Sequence, residues 1–177
     1  AKKVFMIKED KRHIEKVLHI IKKTVFNFGL ILDGDKILVG LSGGKDSLIL
    51  VESLAFVKRV TTIKFDVVVC HVKVKDISYE VDSVYLENFC TQNGFEFLFK
   101  EVAFEENKNS DTPCFFCSWT RRKALFNLSK EIGCNKIATG HHLDDALETL
   151  FMNMVFHGSI SSLPASLTMF DGRISFI

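Results

Sequence analysis

Short apolar runs alternate along the chain with longer segments of helical spacing, and this alternation restricts the fold more than any other feature of the sequence. Residues 65–72 are rich in β-branched valine, residues 37–39 form a second apolar run, and shorter runs occupy 95–99 and 136–139. Apolar runs without polar alternation are typical of strands buried on both faces. The helical segments between them are long enough for the crossovers that parallel strands need. The sequence therefore predicts an α/β fold, a parallel-sheet sandwich with helices on both faces.

The helical segments are placed by apolar residues that recur every three or four positions. They are predicted at residues 9–28, 48–57, 81–90, 118–132 and 144–156, with a hairpin at Asp171 and Gly172. The first 23 residues carry eight Lys or Arg against three acidic residues. We expect residues 1–29 to form a basic helix that packs on a single domain of residues 30–177. This helix could approach a phosphate backbone, or it could simply present a solvated face.

The composition points to an ordinary globular domain. The chain has 177 residues, 47% of them hydrophobic and 25% charged, with a formal net charge of +1. No run reaches the ~20 apolar residues of a membrane span, and the first residues do not have the order of a signal peptide. We therefore expect a cytoplasmic protein with no membrane partner. Five cysteines, an odd number, do not predict a disulfide framework.

A glycine-rich loop follows the predicted strand at residues 37–39. It consists of Gly40, Leu41, Ser42, Gly43, Gly44, Lys45, Asp46 and Ser47. Glycines permit close backbone approach, the start of the next helix supplies N–H groups, and Lys45 supplies a cation, so the loop is suited to phosphates. It is neither a G-x-x-x-x-G-K-[ST] loop nor a G-x-G-x-x-G loop. A plain turn is the alternative, but a turn does not require Lys, Asp and two Ser in this order.

A second motif, residues 139–145, follows the predicted strand at 136–139. It reads Thr139, Gly140, His141, His142, Leu143, Asp144 and Asp145. In a parallel sheet this motif shares the carboxyl edge with the glycine-rich loop, where ligands bind. Helix capping by Asp145, with Glu148 three residues later, is the structural alternative. Capping does not account for two adjacent histidines and two adjacent aspartates, which favours a functional motif.

Cys114 and Cys117 are the only closely spaced cysteines. C-x-x-C spacing allows two thiolates to bind one zinc ion or an iron–sulfur cluster, and it also suits a redox pair. Two unrelated buried thiols are the remaining possibility. Arg121 and Arg122 follow one helical turn later and add positive charge, or they belong to a solvated helix face.

These motifs resemble those of a known superfamily. Residues 42–47 resemble the SGGxDS loop of the PP-loop ATP pyrophosphatases, and residues 140–145 resemble their GHHxDD element. Residues 114–122 resemble the CxxCSxxRR segment of the tRNA 2-thiocytidine synthetases, and the likeness continues through residues 148–153 and 163–164. It covers about residues 30–177 and implies the adenine nucleotide alpha-hydrolase-like fold of a PP-loop ATPase.

The resemblance implies an enzyme that binds ATP and Mg²⁺, releases pyrophosphate and transfers AMP to the C2 oxygen of a cytidine in tRNA. Sulfur then replaces that oxygen. The implied catalytic residues are Lys45, Asp46, Asp145 and Arg121. The implied nucleotide contacts are Gly40, Ser42, Gly43, Gly44, Lys45, Asp46, Ser47, Gly140, His142 and Asp145, with Asp46 also holding Mg²⁺.

The same resemblance implies a 4Fe–4S cluster held by Cys114, Cys117 and a third, later cysteine. No cysteine follows Cys134, and Cys70, Cys90 and Cys134 match no third-ligand position. We therefore expect the sequence to be truncated at its C-terminal end, with the third ligand beyond residue 177. The implied partners are tRNA, a sulfur donor such as a cysteine desulfurase or free sulfide, and a second copy in a homodimer.

Several alternatives stay open at this point. The 2-thiouridine enzymes of the superfamily carry zinc-binding cysteine pairs at both ends, and Gly rather than Ser118 usually follows their central pair. Lysidine synthetases adenylate a cytidine but lack a cysteine pair. A nucleotide- or metal-binding module without full activity is the alternative from another class. The polar residues 101–113 are interpreted as a loop, and as a candidate lid over ATP.

Overall fold

The structure, a computed structural model, describes residues 8–75, 81–103, 113–169 and 172–177, with side chains from residue 12 and, in the fourth helix, from residue 116. The helices are α1 (Lys8–Asn27), α2 (Lys45–Val60), α3 (Ser83–Gln92), α4 (Pro113–Glu131) and α5 (Leu143–His157). The strands are β1 (Lys36–Gly40), β2 (Asp66–Val74), β3 (Glu96–Val102), β4 (Lys136–Ala138), β5 (Leu167–Met169) and β6 (Ile174–Phe176).

The strands form one sheet in the order β3-β2-β1-β4-β6-β5. All neighbouring pairs are parallel except β5 and β6, which form the predicted hairpin. The chain winds outward from β1 to β3 and then returns to the other side of β1 as β4. In such a sheet the crevice at the reversal, between β1 and β4, is where ligands bind. The predicted α/β fold is confirmed.

Two apolar layers cover the sheet, one on each face. Val25 of α1, Leu54 of α2 and Leu86 of α3 pack on one face, and Leu125 and Leu128 of α4 pack on the other. Ile37, Leu38 and Val39 of β1 are completely buried between the layers. Full burial of one such side chain contributes about 1.5–3 kcal/mol, so the central strand anchors both layers.

The first helix packs on α2, where the His19 and Phe56 rings meet edge to face at 5.5 Å between centroids. Leu18 and Val25 are buried, whereas Arg12, Lys16 and Lys23 are exposed. The helix therefore combines one packed face with one basic face. The division of the chain at residue 29 stays a prediction.

Several predicted boundaries are wrong, and the end of β3 and the start of α4 are the clearest cases. Strand β3 does not end at Phe99 but continues to Val102, because it pairs with β2 as far as Val74. Helix α4 begins at Pro113 rather than Ser118. Proline is well suited to the first helical position, since it has no N–H to leave unbonded there. The greater part of the proposed lid, residues 104–112, lies outside the described residues.

A buried polar network closes the amino edge of the sheet, opposite the glycine-rich loop. The Lys136 Nζ atom lies 2.7 Å from the Asp35 carboxylate, which also accepts hydrogen bonds from the Leu32 N–H and the Asn135 side chain. Burial by itself would raise the pKa of Asp35, but the hydrogen bonds and the Lys136 charge lower it below its usual value. The network ties the start of β1 to the start of β4.

Helix α5 contrasts with the other helices because none of its residues is buried. Its exposed large side chains include Leu143, Phe151, Val155 and Phe156, which are 61–75% exposed. Within the described ranges, no helix is long and apolar enough to cross a membrane. The apolar side of α5 is therefore a surface feature of the structure as described.

Candidate nucleotide-binding site

The glycine-rich loop joins β1 to α2 by a tight turn. Gly43 adopts a φ of 88°, a left-handed conformation that favours glycine. The Ser42 and Ser47 Oγ atoms lie 3.0 Å apart, and the Ser42 Oγ atom accepts a hydrogen bond from the Gly44 N–H. Gly44 is the N-cap of α2 and has no side chain to cap the helix. No N-cap side chain therefore covers the N–H groups of the first turn, which lie beside the loop. Such a helix start attracts anions.

Lys45 and Asp46 form an exposed ion pair at the start of α2. The Lys45 Nζ atom lies 2.7 Å from the Asp46 Oδ1 atom. The hydrogen bond between them raises the pKa of Lys45 and lowers the pKa of Asp46. Both side chains are therefore charged at neutral pH. Lys45 can bind an anion, and Asp46 can bind a cation.

The second motif lies directly against the glycine-rich loop. A Cβ atom added to Gly140 would fall 2.9 Å from the Ser47 backbone N and 3.0 Å from the Asp46 backbone C. Real Cβ atoms essentially never make a contact of 2.9 Å, and the atoms met here belong to the backbone, so this close approach requires glycine. The structure thus brings residues 40–47 and 139–145 together at the edge that the sequence analysis assigned to them.

Asp145 stabilises the start of α5. Its Oδ2 atom accepts a 2.7 Å hydrogen bond from the His142 N–H, which makes His142 the N-cap and Asp145 the third helical residue. The predicted capping pair, with Asp145 as the N-cap and Glu148 as the third helical residue, is wrong, because His142 is the N-cap and the helix already begins at Leu143. Asp145 Oδ2 lies 3.5 Å from His142 Nδ1, and the Thr139 hydroxyl lies 2.7 Å from His141 Nδ1.

Electrostatic coupling shows that the charged groups of both motifs share one region. After the stronger effect of Asp46, the carboxylates of Asp144 and Asp145 contribute to the raised pKa of Lys45. After Lys45, the imidazole of His142 contributes to the lowered pKa of Asp46. A cation, three carboxylates and an imidazole therefore lie near one another where the glycine-rich loop meets the second motif.

The cysteine pair lies in the first turn of α4 rather than before the helix. Cys117 is a partly buried free thiol, and the side chain of Cys114 lies outside the described residues. Arg121 is partly buried and Arg122 is exposed. Arg121 lies close enough to His71, in β2, for its charge to help lower the pKa of that histidine. Arg121 is thereby placed near His71, whose ring contacts the Leu41 carbonyl of the glycine-rich loop.

The other cysteines belong to the core. Burial raises the pKa of Cys70 and of Cys90 to about 11, and it also raises the pKa of Cys134. Thiols of this kind do not readily become the thiolates that metals bind. Among the described residues, no group of three or more His, Cys, Asp or Glu side chains is arranged to hold a metal ion.

One residue of this region was missed by the sequence analysis. His71 is 2% exposed, and its Nδ1 atom lies 2.7 Å from the Leu41 carbonyl oxygen in the glycine-rich loop. It sits inside an apolar run, where a single histidine carries no recognisable pattern. Only the register of β2 against β1, which pairs Cys70 with Gly40, could have indicated the contact.

The fold agrees with comparisons to known proteins. A family model described as a PP-loop domain matches residues 10–172. The chain belongs to this PP-loop family.

Among curated proteins, the chain is similar to two enzymes named tRNA-cytidine(32) 2-sulfurtransferase. It is 36% identical to that of Aeromonas hydrophila over 86% of this chain and 52% of the relative, and 38% identical to that of Pseudomonas fluorescens over 85% and 56%. The chain thus spans about half the length of the curated relatives it matches.

Among solved structures, the chain is similar to the U34-tRNA thiolase NcsA from Methanococcus maripaludis, a structure that includes its 4Fe–4S cluster. The TM-score is 0.69 at 26% identity, and the match covers 93% of this chain and 57% of that one. Both kinds of comparison therefore lead to tRNA-thiolating members of the PP-loop family.

Proposed function

We propose that this chain is the ATP-binding domain of a tRNA cytidine 2-sulfurtransferase. Such an enzyme adenylates the O2 atom of a cytidine and then replaces this oxygen with sulfur. One observation carries the proposal. The contact of Gly140 with the backbone of Asp46 and Ser47 assembles cation, carboxylates and helix start at one sheet edge. The family and the names of the relatives support the same activity.

The proposed reaction has two steps that balance. The cytidine O2 atom attacks the α-phosphorus of ATP, the bond to the β-phosphate oxygen breaks, and pyrophosphate leaves. Sulfur at the oxidation level of sulfide then attacks C2, the C2–O2 bond breaks, and AMP leaves with the oxygen. Adenylation is needed because the base oxygen by itself is a poor leaving group.

In this proposal the glycine-rich loop holds the phosphates. The helix start and Lys45 offset the negative charge that grows on the departing pyrophosphate. Asp46 would hold Mg²⁺, and its exposed carboxylate oxygen is the ligand type that this ion prefers. The ion usually keeps several waters and binds mainly through phosphates, which fits a site where the described protein groups form no complete metal cage. Bound there, Mg²⁺ would stabilise charge on the phosphates.

The second motif and α4 complete the proposed ATP site. Gly140 allows the two motifs to touch, and His142 and Asp145 face the same crevice as Lys45. Arg121, which lies near His71, would place its guanidinium beside the phosphates. These roles rest on the positions of the residues and on the resemblance to the family.

The cysteine pair would provide two ligands of a 4Fe–4S cluster. Positions 114 and 117 are three residues apart within α4, a spacing that suits two ligands of one cluster. The thiol of Cys117 is free, which fits a ligand. Cys70, Cys90 and Cys134 do not fit because burial keeps them protonated. When bound, the cluster would supply the position that carries sulfur.

A cytidine is favoured over a uridine as the substrate. The cytidine enzymes are 36–38% identical to this chain, whereas the uridine enzyme with a solved structure is 26% identical. Ser118 after the cysteine pair agrees with this choice. The second candidate, uridine thiolation, is supported by the structural similarity to the U34-tRNA thiolase.

The proposal extends to partners and location. A cysteine desulfurase or free sulfide would supply sulfur, and tRNA would be modified in the cytoplasm. A homodimer is also proposed, because α5 exposes an apolar side that a second copy could cover.

The proposal is tested with the full-length protein, purified and reconstituted without oxygen. Absorbance near 400 nm and iron content are recorded for the wild type and a Cys114→Ser/Cys117→Ser variant. Both proteins then receive unmodified tRNA, sulfide and ATP labelled at the α-phosphate. We expect the wild type to show iron, AMP release and 2-thiocytidine by mass spectrometry, and the double variant to lose iron and thiolation.

Two further variants separate the ATP site from the cluster. Lys45→Met removes the loop cation, and we expect it to lower AMP release at least tenfold with iron unchanged. Lys64→Met changes an exposed lysine at the opposite edge and should leave both readouts intact. Formation of 2-thiouridine instead of 2-thiocytidine would identify the second candidate. ATP binding without pyrophosphate release would instead indicate a nucleotide-binding module.

A further inference from the structure

His71 fixes the point at which β1 turns into the glycine-rich loop. The Leu41 N–H donates a 2.9 Å hydrogen bond to the Cys70 carbonyl oxygen, and the Leu41 carbonyl lies 2.7 Å from His71 Nδ1. Both backbone polar groups of Leu41 are thus held by two consecutive residues of β2. The Leu41 side chain is 2% exposed, so this residue is held by packing as well as by hydrogen bonds.

The histidine is itself held in place. Its ring stacks on Phe99 of β3 with centroids 5.6 Å apart and planes 24° apart. Burial lowers the pKa of His71, and nearby Arg121 and Lys73 lower it further, although the hydrogen bond to Leu41 acts in the opposite direction. The ring is therefore neutral at pH 7. A carbonyl only accepts hydrogen bonds, so Nδ1 must carry the proton and donate it.

The direction of the Leu41 carbonyl determines the direction of the next N–H group. A trans peptide is planar, so the Leu41 C=O and the Ser42 N–H point in opposite directions. Because His71 holds the carbonyl toward β2, the Ser42 N–H is turned away from β2. Ser42 begins the segment that the proposed function assigns to the phosphates.

We propose that His71 is a positioning residue for ATP. By donating its Nδ1 proton to the Leu41 carbonyl, it orients the first peptide of the glycine-rich loop for phosphate binding. This inference rests on the proposed ATP-binding function. His71 does not touch the nucleotide in this role; it acts through Leu41.

The inference is tested with His71→Leu and His71→Asn. Leucine has a similar size but no donor, whereas the asparagine amide can donate near the position of Nδ1. Affinity for ATP with Mg²⁺ is measured by calorimetry, and folding is checked by thermal melting. We expect the dissociation constant to rise about tenfold in the leucine variant, the change that corresponds to one lost hydrogen bond of about 1.4 kcal/mol. The asparagine variant should stay within about threefold of the wild type.

Nitrogen-15 spectra of the wild-type histidine give a second, independent readout. We expect the Nδ1–H tautomer, with Nδ1 and the Ser42 amide responding to ATP. The Nε2–H tautomer, or a spectrum that does not respond to ATP, overturns the inference even if His71→Leu fails to fold. Unchanged ATP affinity in a folded His71→Leu protein overturns it as well. If the wild type binds no ATP, the proposed function itself fails and this inference with it.

Discussion

Gly140 is the residue whose identity the structure restricts most directly. Its backbone conformation does not demand glycine, since its φ is not in the left-handed region. The restriction comes from space, because the Ser47 N and Asp46 C atoms occupy the place of a Cβ. Backbone atoms cannot move aside as the end of a flexible side chain can. The second motif therefore contacts the glycine-rich loop at Gly140, which packs without a side chain against the backbone of Asp46 and Ser47.

Gly140→Ala is expected to weaken ATP binding at least tenfold. The added methyl group must push residues 46 and 47 away and so displace the proposed phosphate site. Overpacking of this kind also costs about 1–3 kcal/mol of stability. Calorimetry with ATP and chemical denaturation measure the two effects.

Gly40→Ala provides the contrast. A Cβ at Gly40 meets only the Leu125 Cδ1 atom within 3.4 Å, the end of a flexible side chain. We expect an effect on ATP affinity several times smaller than that of Gly140→Ala. Equal effects of the two substitutions would contradict the steric explanation.

Single residues also show the limit of reading this sequence. The glycine-rich loop and the second motif were identified because their residue types form dense, ordered patterns. His71 was missed, because its partner Leu41 is thirty positions away and the two meet only through strand register. The partial burial of Arg121 against the exposure of Arg122 was likewise hidden, since it depends on how α4 rotates over the sheet.

At the scale of helices and strands, the apolar pattern predicted the elements from α1 to α5 in chain order, the Asp171 and Gly172 turn predicted the terminal hairpin, and the errors lie at particular ends. The start of α4 was placed five residues late, because Pro113 and the polar residues before it were interpreted as one loop. C-x-x-C spacing is equally compatible with a helical turn, so it did not correct the error. Strand β3 was predicted too short, because Lys100 and Glu101 interrupt its apolar pattern at the edge of the sheet, where pairing with β2 continues the strand.

Strands β1 and β4 are joined at their starts by the ion pair of Asp35 and Lys136. We expect Lys136→Met to destabilise the fold by about 3–5 kcal/mol at pH 7, because it leaves a buried carboxylate without its cation. Urea denaturation of both proteins measures the change. Lys64→Met, at an exposed lysine, should alter stability by no more than about 0.5 kcal/mol.

The difference in the free energy of unfolding between the wild type and Lys136→Met should depend on pH. The pKa of Asp35 is lowered in the folded wild type, so its stabilising effect is present above the unfolded value of about 3.9 and is lost as the pH falls through the folded value. In Lys136→Met the carboxyl is more easily protonated, and protonation relieves the buried charge. The difference in the free energy of unfolding between the two proteins should therefore become smaller as the pH falls below 4. A gap that widens there would contradict the assigned role of the pair.

At the scale of the whole molecule, α5 is the described helix that has no buried residue, and its apolar side is exposed. Phe151 and Val155 are four residues apart on the same side of the helix and are 61% and 75% exposed. A formal net charge of +1 provides little repulsion between copies. We expect the 177-residue chain to self-associate through this side, as exposed apolar patches generally promote.

Sedimentation velocity between about 5 and 100 µM tests this expectation. Phe151→Gln/Val155→Gln should shift the distribution toward monomer. Ile20→Gln, which changes an exposed apolar residue of α1, should leave the association unchanged. A wild-type chain that is monomeric over the whole range would show that the side of α5 does not bind a second copy.

The contact at Gly140 also has a genetic consequence. Since a larger residue at position 140 collides with main-chain atoms, no exchange of side chains at positions 46 or 47 can make room for it. A search for second-site suppressors of Gly140→Ala should therefore recover no single substitution at either position. Restored growth would have to come from changes in loop length or from a shift of β4 against β1. A change of residue 140 therefore requires a change in the backbone path of residues 46 and 47, although almost a hundred positions separate them in the chain.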